Sequence, residues 1–397
     1  MKENKDVFIV DYRRTPFSRS RPSDPERDVF NSVRMDEQLG KLYKNLVTRN
    51  GIRAEDIGDA ISGCALQADE NWMYGGRHPV LVGGLPVTVP AMALDRACSS
   101  SLNAIGIGYM EIRSGFSDVV LAGGMEHMTH VPLSNNPHVK PNIKLLVRPE
   151  FAKLDMNTGY SMGLTAEKLA DLRGIAREDM DKFSLRSHKL ASEALSSGYL
   201  REEIEPVTAE IGNEMVDIDK DQSIRADATI EQMARLQPAF KTNGKVTAGN
   251  SSPLNAGASA TLIASEDKVN EYGLKPLARI VSMGWAAVEP SIMGEGPVPA
   301  SKKALKNAGL EVDDIDFWEI NEAFATVVIN AMNELGIKEE RVNIHGGAIA
   351  IGHPLGASGA RLAGTLARTL KEKGKRYGLA TLCVGGGQGF SMILERA

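Results

Sequence analysis

A largely apolar run from Val87 to Leu94 gives way, after a Ser-rich turn, to a helical pattern. That pattern begins Leu102-Asn103-Ala104-Ile105 and runs to about Ser114. A second run, Asp118 to Gly124, predicts a strand. Near the other end the same order returns. Gly356-Ala357-Ser358-Gly359 opens a helix carried through Leu362 to Leu370, and Tyr377 to Val384 predicts a strand that stops at Gly385-Gly386-Gly387. Both stretches read small-residue turn, small-residue helix, strand, Gly-rich turn, so the two ends are distant copies of one unit. Apolar runs alternating with helices predict a layered α/β fold. Residues 128–254 interrupt the repeat with charge and loop signals such as Arg201-Glu202-Glu203 and Asp217-Ile218-Asp219-Lys220-Asp221. The Gly and Pro of Gly294-Glu295-Gly296-Pro297-Val298-Pro299 predict a turn before a helix starting near Ala300.

The bulk numbers narrow the function classes. The 397 residues suffice for two or three domain-sized pieces, and 42% apolar with 24% charged residues is a globular composition. A formal charge of −5 opposes a general nucleic-acid binder, which needs clustered Lys and Arg against phosphates. The N-terminal stretch Met1–Asp6 has no apolar core, and the chain has no long apolar run. The sequence therefore predicts no secretory leader, no transmembrane segment and a cytoplasmic location. Three cysteines without paired spacing fit a reducing compartment. With no CxxC, no HExxH and seven scattered histidines, no metal site is expected.

Candidate chemistry lies at the two copies of the repeat. Cys98 sits in Leu94-Asp95-Arg96-Ala97-Cys98-Ser99-Ser100-Ser101, where the apolar run meets the helix. A thiol there faces unsatisfied N–H groups and the positive end of the helix dipole, which predicts a stabilised thiolate. His353 precedes Pro354 in a Gly-rich loop, and a histidine near its usual value of ~6.5 can take a thiol proton at neutral pH. Cys383 ends the second strand. A nucleophile, a base and one further proton carrier form a set for acyl transfer through a thioester. Each residue taken alone also has a plainer reading, since free cysteines are commonly buried and inert.

Segments in order along the whole chain resemble the thiolase family. They are Val7-Phe8-Ile9-Val10-Asp11 with Arg14-Thr15-Pro16, the Cys98 segment, Gly123-Gly124-Met125-Glu126-His127-Met128, and Met162-Gly163-Leu164-Thr165-Ala166-Glu167. Val246-Thr247-Ala248-Gly249-Asn250-Ser251-Ser252, Asn321-Glu322-Ala323-Phe324 and the His353 and Cys383 segments complete the series. Glu126-His127-Met128-Thr129-His130-Val131-Pro132 and Pro290-Ser291-Ile292-Met293-Gly294 resemble most the thiolase subunits of bacterial fatty-acid oxidation complexes. The resemblance implies an α/β thiolase fold, two βαβαβαββ halves in five layers, α-β-α-β-α, with an inserted loop domain. Residues 1–127 plus 255–275 would form the N-terminal half, 128–254 the loop domain covering coenzyme A, and 276–397 the C-terminal half.

The same resemblance implies roles. Cys98 would be the acyl-accepting nucleophile, His353 its activator, and Cys383 the acid and base at C2 of acetyl-CoA. One thioester oxygen would be held by His353 and a water on Asn321, the other by the N–H groups of Cys98 and Gly385. Ser252 matches a pantetheine contact and Arg225 a residue near the adenine. Met162, Met293 and Phe324 match apolar tunnel walls, with core packing as the plainer alternative. Ser99 stands where many thiolases carry Gly or Ala, so its hydroxyl would crowd the acyl pocket or bond the thiolate. His345 stands where many carry Asn, as a supporting or a structural residue. Lys140, Lys144 and Arg148 would meet coenzyme A phosphates, a partner or water. The implied reaction is ping-pong cleavage of a 3-oxoacyl-CoA by coenzyme A in fatty-acid β-oxidation, with coenzyme A as substrate and no bound cofactor. The alternatives are an acetoacetyl-CoA thiolase (acetyl-CoA acetyltransferase) running in the condensing direction and a thiolase for an aromatic or cyclic acyl-CoA. A homodimer or dimer of dimers is implied, with a hydratase–dehydrogenase chain as a further partner.

Overall fold

The computed structural model describes residues 5–134 and 136–397, so Met1–Asn4 of the N-terminal stretch lie outside it. In chain order the strands are β1 (Val7–Arg14), β2 (Asp59–Gly63), β3 (Ala91–Leu94), β4 (Val119–His127), β5 (Val207–Ile211), β6 (Glu214–Ile218), β7 (Ala256–Ser265), β8 (Ala278–Ala287), β9 (Phe317–Ile320), β10 (Tyr377–Val384) and β11 (Gln388–Arg396). The longer helices are α1 (Met35–Arg49), α2 (Ser100–Ser114), α3 (Met162–Leu172), α4 (Arg177–Ser196), α5 (Pro297–Ala308), α6 (Ala325–Leu335) and α7 (Leu355–Lys373).

The strand order β3-β2-β4-β7-β1-β8-β11-β10-β9 divides at a seam. There β1 and β8 share only the pairs Phe8–Arg279 and Ile9–Ala278. Five strands lie on the N-terminal side and four on the C-terminal side. The fifth C-terminal strand expected from the repeat is reduced to one bridge between Trp318 and Val342. Apolar cores fill the spaces between the layers. Leu39, Leu42 and Leu46 of α1 pack on Leu121 and Leu262 of the first sheet half. Leu102 and Ile105 of α2 and Leu362 and Leu366 of α7 fill the middle, between Ile263 on one side and Leu382 on the other. Leu305 of α5 and Val328 of α6 cover the far face at Trp318 and Leu379.

Burial on both faces explains the composition of the middle. All ten residues of β7, Ala-Gly-Ala-Ser-Ala-Thr-Leu-Ile-Ala-Ser, are buried, and larger side chains would force the layers apart. The two central helices cross closely: a Cβ on Gly359 would stand 2.2 Å from the Leu102 nitrogen. Beside that crossing the Ala360 N–H donates to Ser101 Oγ at 2.9 Å. Helix α5 starts at Pro297, three residues before the expected Ala300, because proline's fixed φ suits the first helical turn. The intervening residues between β4 and β7 hold α3, α4 and the β5–β6 hairpin. They are tied to β1 by buried Arg14, which donates to Glu203 at 2.7 Å and to both oxygens of Asp221 at 2.7 and 2.8 Å.

Candidate active site

Both copies of the repeat aim their turn at one place. After β3, Ala97 adopts a left-handed φ of 43°, uncommon for a residue with a side chain. Local hydrogen bonds hold it there: Ala97 N–H donates to Asp95 Oδ1 at 2.6 Å, Arg96 N–H to Ser100 Oγ at 2.9 Å, and Ser100 Oγ to Ala97 O at 2.7 Å. The bend turns Cys98, half-buried, out of the line of the strand. Ser99 is fully buried and its hydroxyl donates back to Arg96 O at 3.2 Å, within the turn.

From the second copy, β10 carries Cys383 beside Cys98, and the Gly385 N–H points at the Cys98 sulfur. A Cβ on Gly385 would touch Ala97 at 3.8 Å and Met162 Sδ at 3.9 Å, so this backbone closes one wall of the site. Met162, Met293 and Phe324 pack in one apolar cluster with buried Cys383. All three expected wall residues therefore meet around the second thiol.

His353 is fixed on both sides. Its Nδ1 lies 2.6 Å from Ser358 Oγ, whose own proton goes to Pro354 O at 2.8 Å. The hydroxyl must then accept from Nδ1–H, which leaves Nε2 with its lone pair. Asn321 Nδ2 donates to that Nε2 at 3.3 Å, while Asn321 Oδ1, buried, has no protein partner among the described residues. Asn321 follows β9 and is not a helix cap, since α6 begins only at Ala325.

Burial works against the expected thiolate. Burial pushes the Cys98 thiol up to about 11, and the pull of the Gly385 N–H is the smaller effect. Because Cys98 is half-buried, water offsets part of that push, and its direction is what matters. Burial also drives Cys383 upward, with Cys98 adding to it. Burial, then the positive charge of Arg361, brings His353 down to about 3. Desolvation thus opposes the pull of the helix terminus on Cys98, and burial favours the thiol forms of both cysteines and the neutral imidazole.

Buried histidines of this kind make the fold acid-sensitive. His188 is likewise lowered to about 4, by burial first and Arg225 second. Between the unfolded value of ~6.5 and these folded values the unfolded chain binds more protons, so stability is complete above ~6.5 and falls as pH drops. The thermal midpoint should decline steeply from pH 7 to about pH 4.5, and His188→Asn should flatten the decline. Equal slopes for the two proteins would contradict this.

Two positioning residues escaped the sequence reading. Asn255, at the start of β7, accepts the His353 N–H at 2.7 Å and donates to Ser18 O. Gly352, with φ of 122°, lies so close that a Cβ would meet Asn255 Nδ2 at 2.7 Å. Glu126, buried at the end of β4, accepts N–H groups from Ala65 (2.9 Å), Leu66 (3.1 Å) and Gly356 (2.9 Å), with Asn71 Nδ2 at 3.0 Å. It thereby locks the start of α7 against the first sheet half. A polar residue just before a strand rich in small residues and an acid near the end of an apolar one were the available signals.

The coenzyme candidates divide. Arg225 lines a cavity of about 350 Å³ with Arg19, His188 and Ser251, while Ser252 lies next to that lining and donates its N–H to Ala323 O at 3.0 Å. Lys140, Lys144 and Arg148 are exposed and do not line this cavity. His345 stacks on Tyr199 at 3.7 Å with its Nε2 3.4 Å from Glu372. Glu372 is in the last turn of α7, some 20 Å along the helix from Ser358.

One group of potential metal ligands occurs among the described residues, Glu70, His127 and His130. The two rings stack at 3.8 Å with planes 7° apart. His130 already bonds Glu70 at 2.9 Å and Asn31 at 3.1 Å.

Comparison with known proteins agrees with this architecture. Profiles of the thiolase N-terminal and C-terminal domains match residues 7–267 and 274–396. A 3-ketoacyl-CoA thiolase of Saccharophagus degradans is 44% identical over 401 residues, covering 99% of this chain and 98% of that one. The crystal structure of human mitochondrial 3-ketoacyl-CoA thiolase matches with a TM-score of 0.88 at 35% identity over 99% of both chains. The Bacillus anthracis acetyl-CoA acetyltransferase matches with a TM-score of 0.86 at 35% identity, again over 99% of both. With matched domains over nearly its whole length and a full-length relative at this identity, the chain belongs to the thiolase family.

Proposed function

We propose that this acyltransferase is a 3-oxoacyl-CoA thiolase that cleaves 3-oxoacyl-CoA with coenzyme A in fatty-acid β-oxidation. The observation that carries the reading is geometric: His353 is held by Ser358 and Asn321 with its Nε2 lone pair free, and Cys98 and Cys383 are brought side by side from the two copies of the repeat. Thiolysis starts from that arrangement. Nε2 of His353 takes the Cys98 proton, and the thiolate attacks the C3 carbonyl. The C2–C3 bond breaks with its electron pair on C2, and the Cys383 S–H protonates that carbon, releasing acetyl-CoA. The Cys383 thiolate then deprotonates coenzyme A, which takes the acyl group from Cys98. The departing Cys98 sulfur recovers its proton from His353. During attack the oxygen faces His353 and a water on Asn321, whose free Oδ1 suits that task; the N–H groups of Cys98 and Gly385 serve the thioester oxygen. Every proton and electron pair is placed without a bound cofactor, and coenzyme A is a substrate.

The apolar cluster of Met162, Met293 and Phe324 suits an acyl chain beside Cys383. The Arg19 and Arg225 cavity, with Ser252 beside it, suits the coenzyme's nucleotide end and pantetheine arm. Exposed apolar side chains in the N-terminal half, among them Val87 (76% exposed), Phe116 (87%) and edge-strand Met92, support pairing with a second copy through that half. A dimer of dimers, or docking on a hydratase–dehydrogenase chain, extends the same expectation, as does a cytoplasmic location. Among the described residues no helix is long and apolar enough to cross a membrane.

The test is thiolysis over a ladder of 3-oxoacyl-CoA lengths. Turnover extending to long chains supports the proposal. Activity confined to the four-carbon substrate would replace it with the condensing acetoacetyl-CoA reading. Absence of activity on every straight chain would point to an aromatic or cyclic acyl group.

A further inference from the structure

Two fixed points bracket the nucleophile. On one side β3 stays in the sheet to its last residue, where the Cys64 N–H donates to Leu94 O at 3.0 Å. On the other α2 begins at Ser100, and its Ser101 Oγ accepts the Ala360 N–H of α7 at 2.9 Å. The chain between them has to turn from strand to helix, and it turns at Ala97, with a left-handed φ of 43°. For a residue with a Cβ that conformation is disfavoured by about tenfold. It is also the conformation that sets the Ala97 methyl against the second copy of the repeat, 3.8 Å from where a Cβ on Gly385 would stand. Gly385 is the residue whose N–H points at the Cys98 sulfur. Asp95 offsets the cost at Ala97. Its Oδ1 accepts the Ala97 N–H at 2.6 Å, closing a short ring over Arg96, and this is the one hydrogen bond of that carboxyl among the described residues. Ser100 closes the other side, donating from Oγ to Ala97 O at 2.7 Å and accepting the Arg96 N–H at 2.9 Å. The Asp95 bond needs only an oxygen lone pair, so it holds whether the carboxyl is ionised or protonated. Asp95 itself is exposed, so its side chain fills no core.

We propose that Asp95 is a positioning residue for the Cys98 nucleophile: it holds Ala97 left-handed, and through Ala97 it keeps the sulfur aligned with the Gly385 N–H and beside Cys383. Without that bond the backbone at Ala97 relaxes toward negative φ, and Cys98, the next residue, turns away from the second copy. A thiol aligned in only a tenth of the molecules accepts an acyl group at about a tenth of the rate. A glycine at this position takes the left-handed form without cost and needs no clamp. The proposal rests on Cys98 as the acyl-accepting nucleophile, as in the function proposed above.

The experiment is the single-turnover rate of Cys98 acylation in the full-length protein, with the 3-oxoacyl-CoA that the parent cleaves best and intact-protein mass as the readout. Asp95→Ala should slow acylation about tenfold. Asp95→Asn keeps the acceptor oxygen and should stay within about threefold of the parent. Adding Ala97→Gly to Asp95→Ala should bring the rate back to within about threefold, because the two positions are coupled. Equal rates for Asp95→Ala and the parent would overturn the proposal, even if the urea midpoint fell, since that is the signature of a purely stabilising bond. A tenfold loss in Asp95→Asn would overturn it too, as would a tenfold loss that persists when Ala97→Gly is added. Crystal structures of the parent and Asp95→Ala give an answer without substrate. Residue 97 should leave the left-handed region in the variant, and an unchanged φ there would overturn the proposal. A parent that forms no acyl adduct would count against the function proposed above, and this structural comparison would still decide the clamp. Should Asp95→Ala not fold alone, the double variant decides, because a rate near the parent's supports the proposal and a tenfold loss overturns it.

Discussion

Cys98→Ala should lose thiolysis by at least about 10⁴-fold while keeping its fold, because the side chain is half-buried and its removal leaves no large cavity. Cys383→Ala should behave differently. Its loss removes the proton donor for C2, so C–C cleavage should fall about 10²- to 10⁴-fold. Cys98 and His353 remain, however, and can still exchange an acyl group with a plain thioester. Incubation with acetyl-CoA followed by intact-protein mass measurement separates the two. The Cys383→Ala protein should carry an acyl adduct and the Cys98→Ala protein none. An adduct on Cys98→Ala would move the nucleophile to another residue.

The largest effect on stability is expected at the crossing of α2 and α7. A Cβ on Gly359 would stand 2.2 Å from the Leu102 nitrogen and 2.6 Å from its Cβ. Backbone cannot yield as a flexible side-chain tip does, and these helices have a sheet half on either side. Relief would have to displace both. Gly359→Val should therefore exceed the ~1–3 kcal/mol usual for overpacking, a large part of the ~5–15 kcal/mol that holds a domain together. Gly374→Ala at the end of the same helix is the control. That glycine has φ of 62° and nothing within 4 Å of an added Cβ, so its cost should be only ~1 kcal/mol. Urea midpoints decide the matter, and equal midpoints for the two variants would remove close helix crossing as a determinant of the fold.

Much of the architecture was written locally. The repeat of turn, helix and strand is recovered in α2 with β4 and in α7 with β10. The small residues of β7 and α7 signalled burial on two sides, because nothing larger fits between stacked layers. The candidate reaction set was equally legible as Cys98, His353 and Cys383, each lying where a regular element meets a Gly- or Ser-rich turn. What sequence misjudged was environment. A helix terminus next to Cys98 predicted a thiolate, yet desolvation by the surrounding fold pushes the thiol the other way. Ser99 read as a possible pocket residue, and a single hydrogen bond to Arg96 turns it into the bend. His345 is close in sequence to His353 but stacks on Tyr199 near the far end of α7.

The sequence by itself determined periodicity, the small-residue middle layer and which residue types carry the chemistry, because these depend on neighbours a few positions apart. Tertiary structure alone decided what lies around each of them. Asn255 reaches the His353 backbone across 98 positions of chain, Glu126 reaches Gly356 across 230, and Glu319 meets Arg361 across 42. Proton affinity follows burial and charge at such contacts, and both are set only when distant segments pack together.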